Sequence, residues 1–208
     1  DLLMKQGEIV AVTGDGVNDT LSLKRADIGI AMGKSGSKVA QEAANIILLD
    51  DDFSTIVVAV KEGRTIFRNL EKTIKTNLTS NVAELTCVLF GFAGALLDVP
   101  TPILAVQILL IDMVGEMFPL IMLTYDPPEK NSMEIPPRNP KDKTLTKDTM
   151  KGIVFSGTIM GLASFGAFLI TYFNNFHISN HYEKAITVTF ISIIFSQYAN
   201  LLSRRTYG

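Results

Sequence analysis

Three acidic residues stand where acids are costly. Glu84, Asp112 and Glu116 fall inside long apolar runs, and an ionised side chain at the centre of a bilayer costs at least ~2.5–3.5 kcal/mol. Such residues are candidates for binding a cation. Asn81 lies three residues before Glu84, and Asp112 four before Glu116. On helices these spacings place each pair on one face, so two facing pairs would build an oxygen cage. Pro119 has no N–H and leaves the carbonyl of Gly115 without its helical partner. That carbonyl becomes a further candidate ligand, because non-helical backbone at membrane depth is tolerated where it lines an enclosed or watery cavity. An unwound segment between Asp112 and Pro119 is expected. Gln197 and Asn200 offer oxygens from the last apolar run. The plainer role for all these groups is hydrogen bonding between membrane helices, with the acids protonated.

A second constellation lies near the start, at Thr13-Gly14-Asp15-Gly16-Val17-Asn18-Asp19. Two glycines let a backbone turn tightly. Asp15 and Asp19 offer hard oxygens of the kind Mg²⁺ takes alongside a substrate phosphate. Capping of a following helix by Asp and Asn explains the same residues equally well.

The elements that must position these groups divide the 208 residues in two. Hydrophobic residues make up 47% and charged ones 19%, and the apolar residues are gathered in blocks. Leu78–Leu97, Ile103–Thr124, Gly152–Phe173 and Ala185–Leu202 each approach or exceed the roughly 20 residues that span a bilayer as a helix. Four transmembrane helices are predicted, with a loop over residues 125–151. Residues 1–62 read instead as a soluble head. Glu8–Thr13, Ile28–Met32 and Ile46–Leu49 are short apolar strands and Ser37–Ala44 is helix-like, an alternation that builds a parallel sheet with covering helices. In such sheets ligands bind at the carboxyl ends of strands, where Thr13–Asp19 falls. Residues 63–77 are basic, and Arg64–Lys75 lacks glycine and proline. This stretch is expected to run as one stalk helix from the head into the first span.

Lys and Arg concentrate on the cytoplasmic side. Lys61, Arg64, Arg68, Lys72 and Lys75 precede the first span; Lys130, Arg138, Lys141, Lys143, Lys147 and Lys151 lie in the long loop; Arg204 and Arg205 follow the last span. Head, loop and C-terminal end are therefore expected to be cytoplasmic in an integral, multi-pass membrane protein whose partner is the lipid bilayer. The net charge of −2 gives no reason to expect nucleic acid. Cys87 excludes an internal disulfide. His177 and His181 read as a solvated pair in an external loop. The chain shows no signal peptide and reads as a piece of a longer polypeptide.

The longer string Thr13–Asp19 followed by Leu23-Lys24-Arg25-Ala26-Asp27-Ile28-Gly29-Ile30-Ala31-Met32-Gly33 resembles the hinge signature of the P-type ATPases. The resemblance implies a haloacid dehalogenase-like, Rossmann-like α/β partial domain followed by an α-helical transmembrane bundle. It implies Mg²⁺ and ATP as cofactors and a phosphoaspartate intermediate. Asp15 then corresponds to the Mg²⁺ ligand, Asn18 and Asp19 to the polar network around the phosphoryl site, and Thr13, Gly14 and Gly16 to the loop around it. Thr20-Leu21-Ser22 departs from the family's Ala-Pro-Ala. Asn81-Val82-Ala83-Glu84 and Ile111–Pro119 resemble the fifth and sixth membrane helices of Ca²⁺ and Na⁺/K⁺ pumps, and Asp126-Pro127-Pro128 with Met133–Lys141 the loop that follows. By this resemblance the transported cation meets Asn81, Glu84, Asp112, Gly115, Glu116, Gln197 and Asn200. Gly115 and Glu116 stand where the family usually has threonine and aspartate, so the ion is not specified. Asp142-Lys143-Thr144-Leu145-Thr146 only superficially resembles the phosphorylated Asp-Lys-Thr-Gly-Thr motif. It lacks the glycine and follows no apolar strand, and reads as a solvated loop. The nucleophile and the nucleotide-binding domain are expected in the remainder of the polypeptide, and an accessory subunit is left open. Two other readings are a membrane-anchored haloacid dehalogenase-like phosphatase without transport, and a passive channel or ion-binding regulatory subunit. An anchor gains nothing from three intramembrane acids, and a channel has no use for a phosphate-site signature.

Overall fold

The computed structural model describes residues 2–139, 142–174 and 179–205. Pro140, Lys141 and His177, invoked above, lie outside them. The chain forms two compact units, Asp1–Glu62 and Gly63–Gly208.

In the first unit, helix α1 (Leu2–Lys5) precedes β1 (Ala11–Gly14), a 3₁₀ turn (Val17–Asp19), α2 (Thr20–Arg25), β2 (Ile28–Met32), α3 (Lys38–Ala43) and β3 (Ile46–Leu48). The strands pair in the order β1-β2-β3, all parallel, with Ala11 opposite Ile28 and Ile30 opposite Ile46. Parallel neighbours need a crossover connection, and α2 and α3 provide the two crossovers. The pleat sends alternate residues to opposite faces. Ala31 accordingly packs with Leu23 and Ala40, whereas Ile30 and Met32 pack with Leu48. The first strand begins at Ala11 and not at Glu8. The Val10 amide is taken by the Asp27 carboxylate at 2.9 Å, so the ladder with β2 starts one residue later. Thr20 opens α2, its hydroxyl donating to the Val17 carbonyl at 2.7 Å.

Helix α4 runs unbroken from Ser54 to Ala95, 42 residues or about 63 Å. It stops where Asp98 takes a left-handed φ of 57° and Val99 turns its amide back to the Gly94 carbonyl at 3.1 Å. The second apolar block is α5 (Ala105–Leu110), a π-helical stretch (Ile111–Glu116) and α6 (Met117–Thr124). Helices α7 (Lys147–Asn174) and α8 (His181–Arg204) follow. Among the described residues four stretches are long and apolar enough to cross a membrane: Ser54–Ala95, Ala105–Thr124, Lys147–Asn174 and His181–Arg204.

Helix α7 meets α4 through glycines, a device that lets membrane helices approach closely. A Cβ at Gly157 would lie 2.6 Å from Val82 Cβ and 2.7 Å from the Thr79 carbonyl, and one at Gly161 would strike Ala83 and Thr86. Cys87, Ile103, Ile111 and Ile193 form one core cluster of this unit. Val99, Phe168, Ala185 and Ile186 form another.

Candidate functional site

The loop after β1 is organised by one carboxylate. Asp19 Oδ2 accepts from the backbone amides of Asp15 at 3.2 Å and Gly16 at 3.1 Å, while the Asp15 carbonyl accepts from the Ser37 amide at 2.7 Å. Asp19 thus shapes the turn, and its second oxygen is the one left for other partners. Asp15, Asn18 and Thr13 are exposed at the carboxyl end of β1, and Gly14 and Gly16 are half-buried beside Asp19. A Cβ at Gly14 would lie 2.5 Å from Asp19 Cβ, so the glycine there is required by the carboxylate's position. Asp51 does for the next loop what Asp19 does here, and no motif announced it. Its carboxylate accepts from the amides of Gly33 at 2.6 Å, Lys34 at 2.9 Å and Ser35 at 2.7 Å. These bonds, led by that of Lys34, lower the Asp51 carboxyl from an ordinary 3.8 to about 2.

In the second unit the acids come from two helices and meet a third. Glu84 of α4 is buried, and its Oε1 accepts from Gln197 Nε2 of α8 at 2.9 Å. Glu116, at the end of the π-helical stretch, is 5% exposed. Its Oε1 has no hydrogen-bond partner among the described residues, and neither do Ser80 Oγ and Gln197 Oε1. A buried polar atom left unpaired carries a desolvation cost of about 1–3 kcal/mol, and three stand in one neighbourhood here, with the Ser80 hydroxyl beside the Glu116 carboxyl. Glu116 lines a cleft of about 520 Å³ together with Asp112, Asn81, Asn77 and Thr73.

Two expectations need correction. Asn81 and Glu84 do not share one target: Asn81 is exposed to the cleft and donates to Asn77 Oδ1 at 2.9 Å, whereas Glu84 turns to α8. The segment before Pro119 is not unwound either. It widens into a π-helix over Ile111–Glu116 and is α-helical from Met117, since a wider turn accommodates the proline ring and the missing amide while keeping the backbone paired. Gly115 lies in this turn with Ile194 Cγ1 at 3.9 Å from where its Cβ would be. Among the described residues no three His, Cys, Asp or Glu side chains converge as a metal-holding group.

Residues 100–208 match the family model described as "Cation transporting ATPase, C-terminus". The chain belongs to the P-type cation-transporting ATPases. It is 48% identical over 166 residues to the sodium/potassium-transporting ATPase subunit alpha-4 of Rattus norvegicus, covering 79% of this chain and 16% of that protein. It is 38% identical over 202 residues to a calcium-transporting ATPase of Bacillus subtilis, covering 97% and 22%. The endoplasmic reticulum-type calcium-transporting ATPase 4 of Arabidopsis thaliana is 42% identical over 174 residues, covering 84% and 16%. The chain spans about a fifth of the length of these relatives, or less. With four candidate spans among the described residues, the chain belongs to an integral, multi-pass membrane protein.

Beyond the expected residues, the fold places Ser80 and Asn77 at the cluster. Both stand four residues from a predicted member, Ser80 from Glu84 and Asn77 from Asn81, so the helical repeat that paired the acids also points to them. Asn200 is not with the acids. Its Oδ1 accepts from Arg204 Nε at 3.1 Å. The connection after α6 is tied to α4 by Arg64, which donates to the carbonyls of Ser132 and Ile135 at 2.8 Å. Arg68 pairs with Glu129 at 2.7 Å, and Arg205 pairs with the buried Asp126 at 3.1 Å. Asp142 is exposed in the loop before α7.

Proposed function

We propose that this chain is part of an ATP-driven pump that moves cations across a membrane through a phosphoaspartate intermediate formed elsewhere in the polypeptide. The observation that carries the reading is Glu116, buried with an unpartnered oxygen at a cleft shared with Asp112 and Asn81, on a helix apolar enough to span a bilayer. Neither an anchor nor a packing contact needs that arrangement. Glu84 and Gln197 form the adjoining wall, and Ser80 supplies a hydroxyl. The oxygens still missing from the cage come from the remainder of the polypeptide. The transported cation is the cargo, and its identity is open between the ions named in the relatives.

The first unit is part of a haloacid dehalogenase-like phosphorylation domain on the cytoplasmic side, and the loop 125–151 and the C-terminal end share that side. The exposed carboxylate of Asp15 at a strand's carboxyl end fits Mg²⁺, and Asp19 fixes the loop that presents it. Bound there, Mg²⁺ would neutralise phosphate charge. Thr13, Gly14, Gly16 and Asn18 frame the phosphoryl position, and ATP binds elsewhere in the polypeptide.

Coupling runs along α4, whose residues include both Arg64 of the stalk and Glu84 of the site. Proline at Leu70, an exposed position, breaks a helix at about 3 kcal/mol or more. It is expected to uncouple ATP hydrolysis from transport while cation binding persists. Unchanged transport per ATP would sink the idea of a rigid rod. The pump reading itself is tested on the full-length protein in membranes, with ATPase activity followed as Na⁺, K⁺ and Ca²⁺ are varied singly, for wild type and Glu116→Gln. One cation should activate, and the variant should need at least about tenfold more of it, the order expected when a ligand's charge is removed. Activity indifferent to all three ions and to the substitution would overturn the reading.

A further inference from the structure

Arg204 lies on the last turn of α8, and its guanidinium turns inward. Nε donates to Asn200 Oδ1 at 3.1 Å and Nη2 to Thr79 Oγ1 of α4 at 3.2 Å. Thr79 is buried and is itself anchored, its hydroxyl donating to the Lys75 carbonyl at 2.7 Å. Asn200 Nδ2 reaches the Thr76 carbonyl at 3.5 Å. Among the described residues Arg204 forms no ion pair, unlike Arg205, whose charge is met by Asp126 at 3.1 Å. The partners of Arg204 are neutral oxygens, which orient the guanidinium without cancelling its charge.

That charge lies about one to two helical turns along α4 and α8 from the level of Glu84 and Gln197. Thr79 precedes Glu84 by five residues and Arg204 follows Gln197 by seven, which along helices is about 7.5 and 10.5 Å. Between the two levels sits Ser80, fully buried, with its hydroxyl unpartnered. The neutral oxygens of Asn200 and Thr79 are the kind a transported cation would use, and here a side chain of the protein uses them.

We propose that Arg204 is a resident cation. Its guanidinium fills the polar position between α4 and α8 that Asn200 would otherwise offer to a transported ion, and its field at Glu84 and Glu116 sets how strongly those acids hold cations of different charge. This rests on the pump reading above. Repulsion scales with the charge of the visiting ion, so the resident guanidinium disfavours a divalent cation more than a monovalent one. At about 10 Å and an intermediate dielectric constant, its removal corresponds to roughly a tenfold gain in affinity for a monovalent cation and about the square of that for a divalent one.

The experiment uses the full-length protein in membranes, comparing wild type, Arg204→Gln and Arg204→Lys. The cation concentration that half-activates ATP hydrolysis is read for Na⁺, K⁺ and Ca²⁺ separately. Arg204→Gln should lower it for each ion that activates, with the larger drop for Ca²⁺, and Arg204→Lys should restore the wild-type value. A merely structural arginine would give the opposite sign, because loosening α8 against α4 weakens every cation alike. An unchanged or raised half-activating concentration in Arg204→Gln, with cation dependence otherwise intact, overturns the resident cation and leaves the pump reading standing. Indifference of the wild type to all three ions overturns both. Should Arg204→Gln fail to fold, Asn200→Asp neutralises the guanidinium in place and must shift the concentration in the same direction; no shift or a rise counts against the proposal.

Discussion

The carboxylates of the two units are used in opposite ways. Asp19 spends one oxygen and Asp51 both on backbone amides of nearby loops. Glu84 meets one side-chain amide, and Glu116 keeps an oxygen with no partner among the described residues. The cause is the supply of donors. A turn between a strand and a helix leaves amides unpaired, and a carboxylate there is satisfied locally. Inside a bundle of spanning helices nearly every amide is already committed to its own helix. An acid placed there must find a side chain or a cation. The same chemical group, a carboxylate, is therefore a structural clamp in the first unit and keeps an unpartnered oxygen in the second.

The sharpest way to break this comparison is Glu116→Leu. Removing a buried, unpaired oxygen should raise the thermal midpoint of the full-length protein, since such a group costs about 1–3 kcal/mol, while abolishing cation activation. A lowered midpoint would show that Glu116 is already satisfied. Next in size is the contrast between two neighbours. Asp19→Ala removes both bonds and should destabilise the first unit by about 1–3 kcal/mol, whereas Asp15→Asn, at an exposed position, should stay within about 0.5 kcal/mol and yet eliminate Mg²⁺-dependent hydrolysis. Limited proteolysis of the first unit and ATPase assays separate the two effects, and equal destabilisation by both would erase the distinction between clamp and ligand.

The smallest effect concerns acid. Asp51 is lowered from 3.8 to about 2 in the folded chain, so its contribution is fully present above the unfolded value and is lost as pH falls through the folded one. Amide exchange at Gly33, Lys34 and Ser35 should accelerate relative to its intrinsic rate as pH drops from 4 towards 2. In Asp51→Asn that added pH dependence should be absent. Identical profiles for the two proteins would mean that the carboxylate does not hold this loop.

Much of the architecture was legible because it depends on local composition. Each apolar block falls on one spanning stretch: α7 and α8 extend a few residues past theirs, α5 starts two residues late, and α4 ends early at Asp98 but begins at Ser54, carrying the stalk in the same helix. Strand β2 matches Ile28–Met32 to the residue, since both its faces are covered and its run is uniformly apolar. Strand β1 was misjudged at its start because the competing partner, Asp27, lies 17 positions away. The π-helical stretch was misread as unwinding: Pro119 announces a lost bond but does not say how the backbone makes room for it.

Sequence by itself determined which residues would be costly to bury and which helices would bury them, for those facts follow from side-chain polarity and the helical repeat. It could not determine what each polar group would meet. That Glu84 binds Gln197, 113 positions away, that Asp19 turns to its own loop, and that Asn200 holds Arg204 rather than joining the acids were decided by helix packing and loop closure. Hydrogen bonds and charges act over a few ångströms, and only the tertiary structure sets which groups come that close.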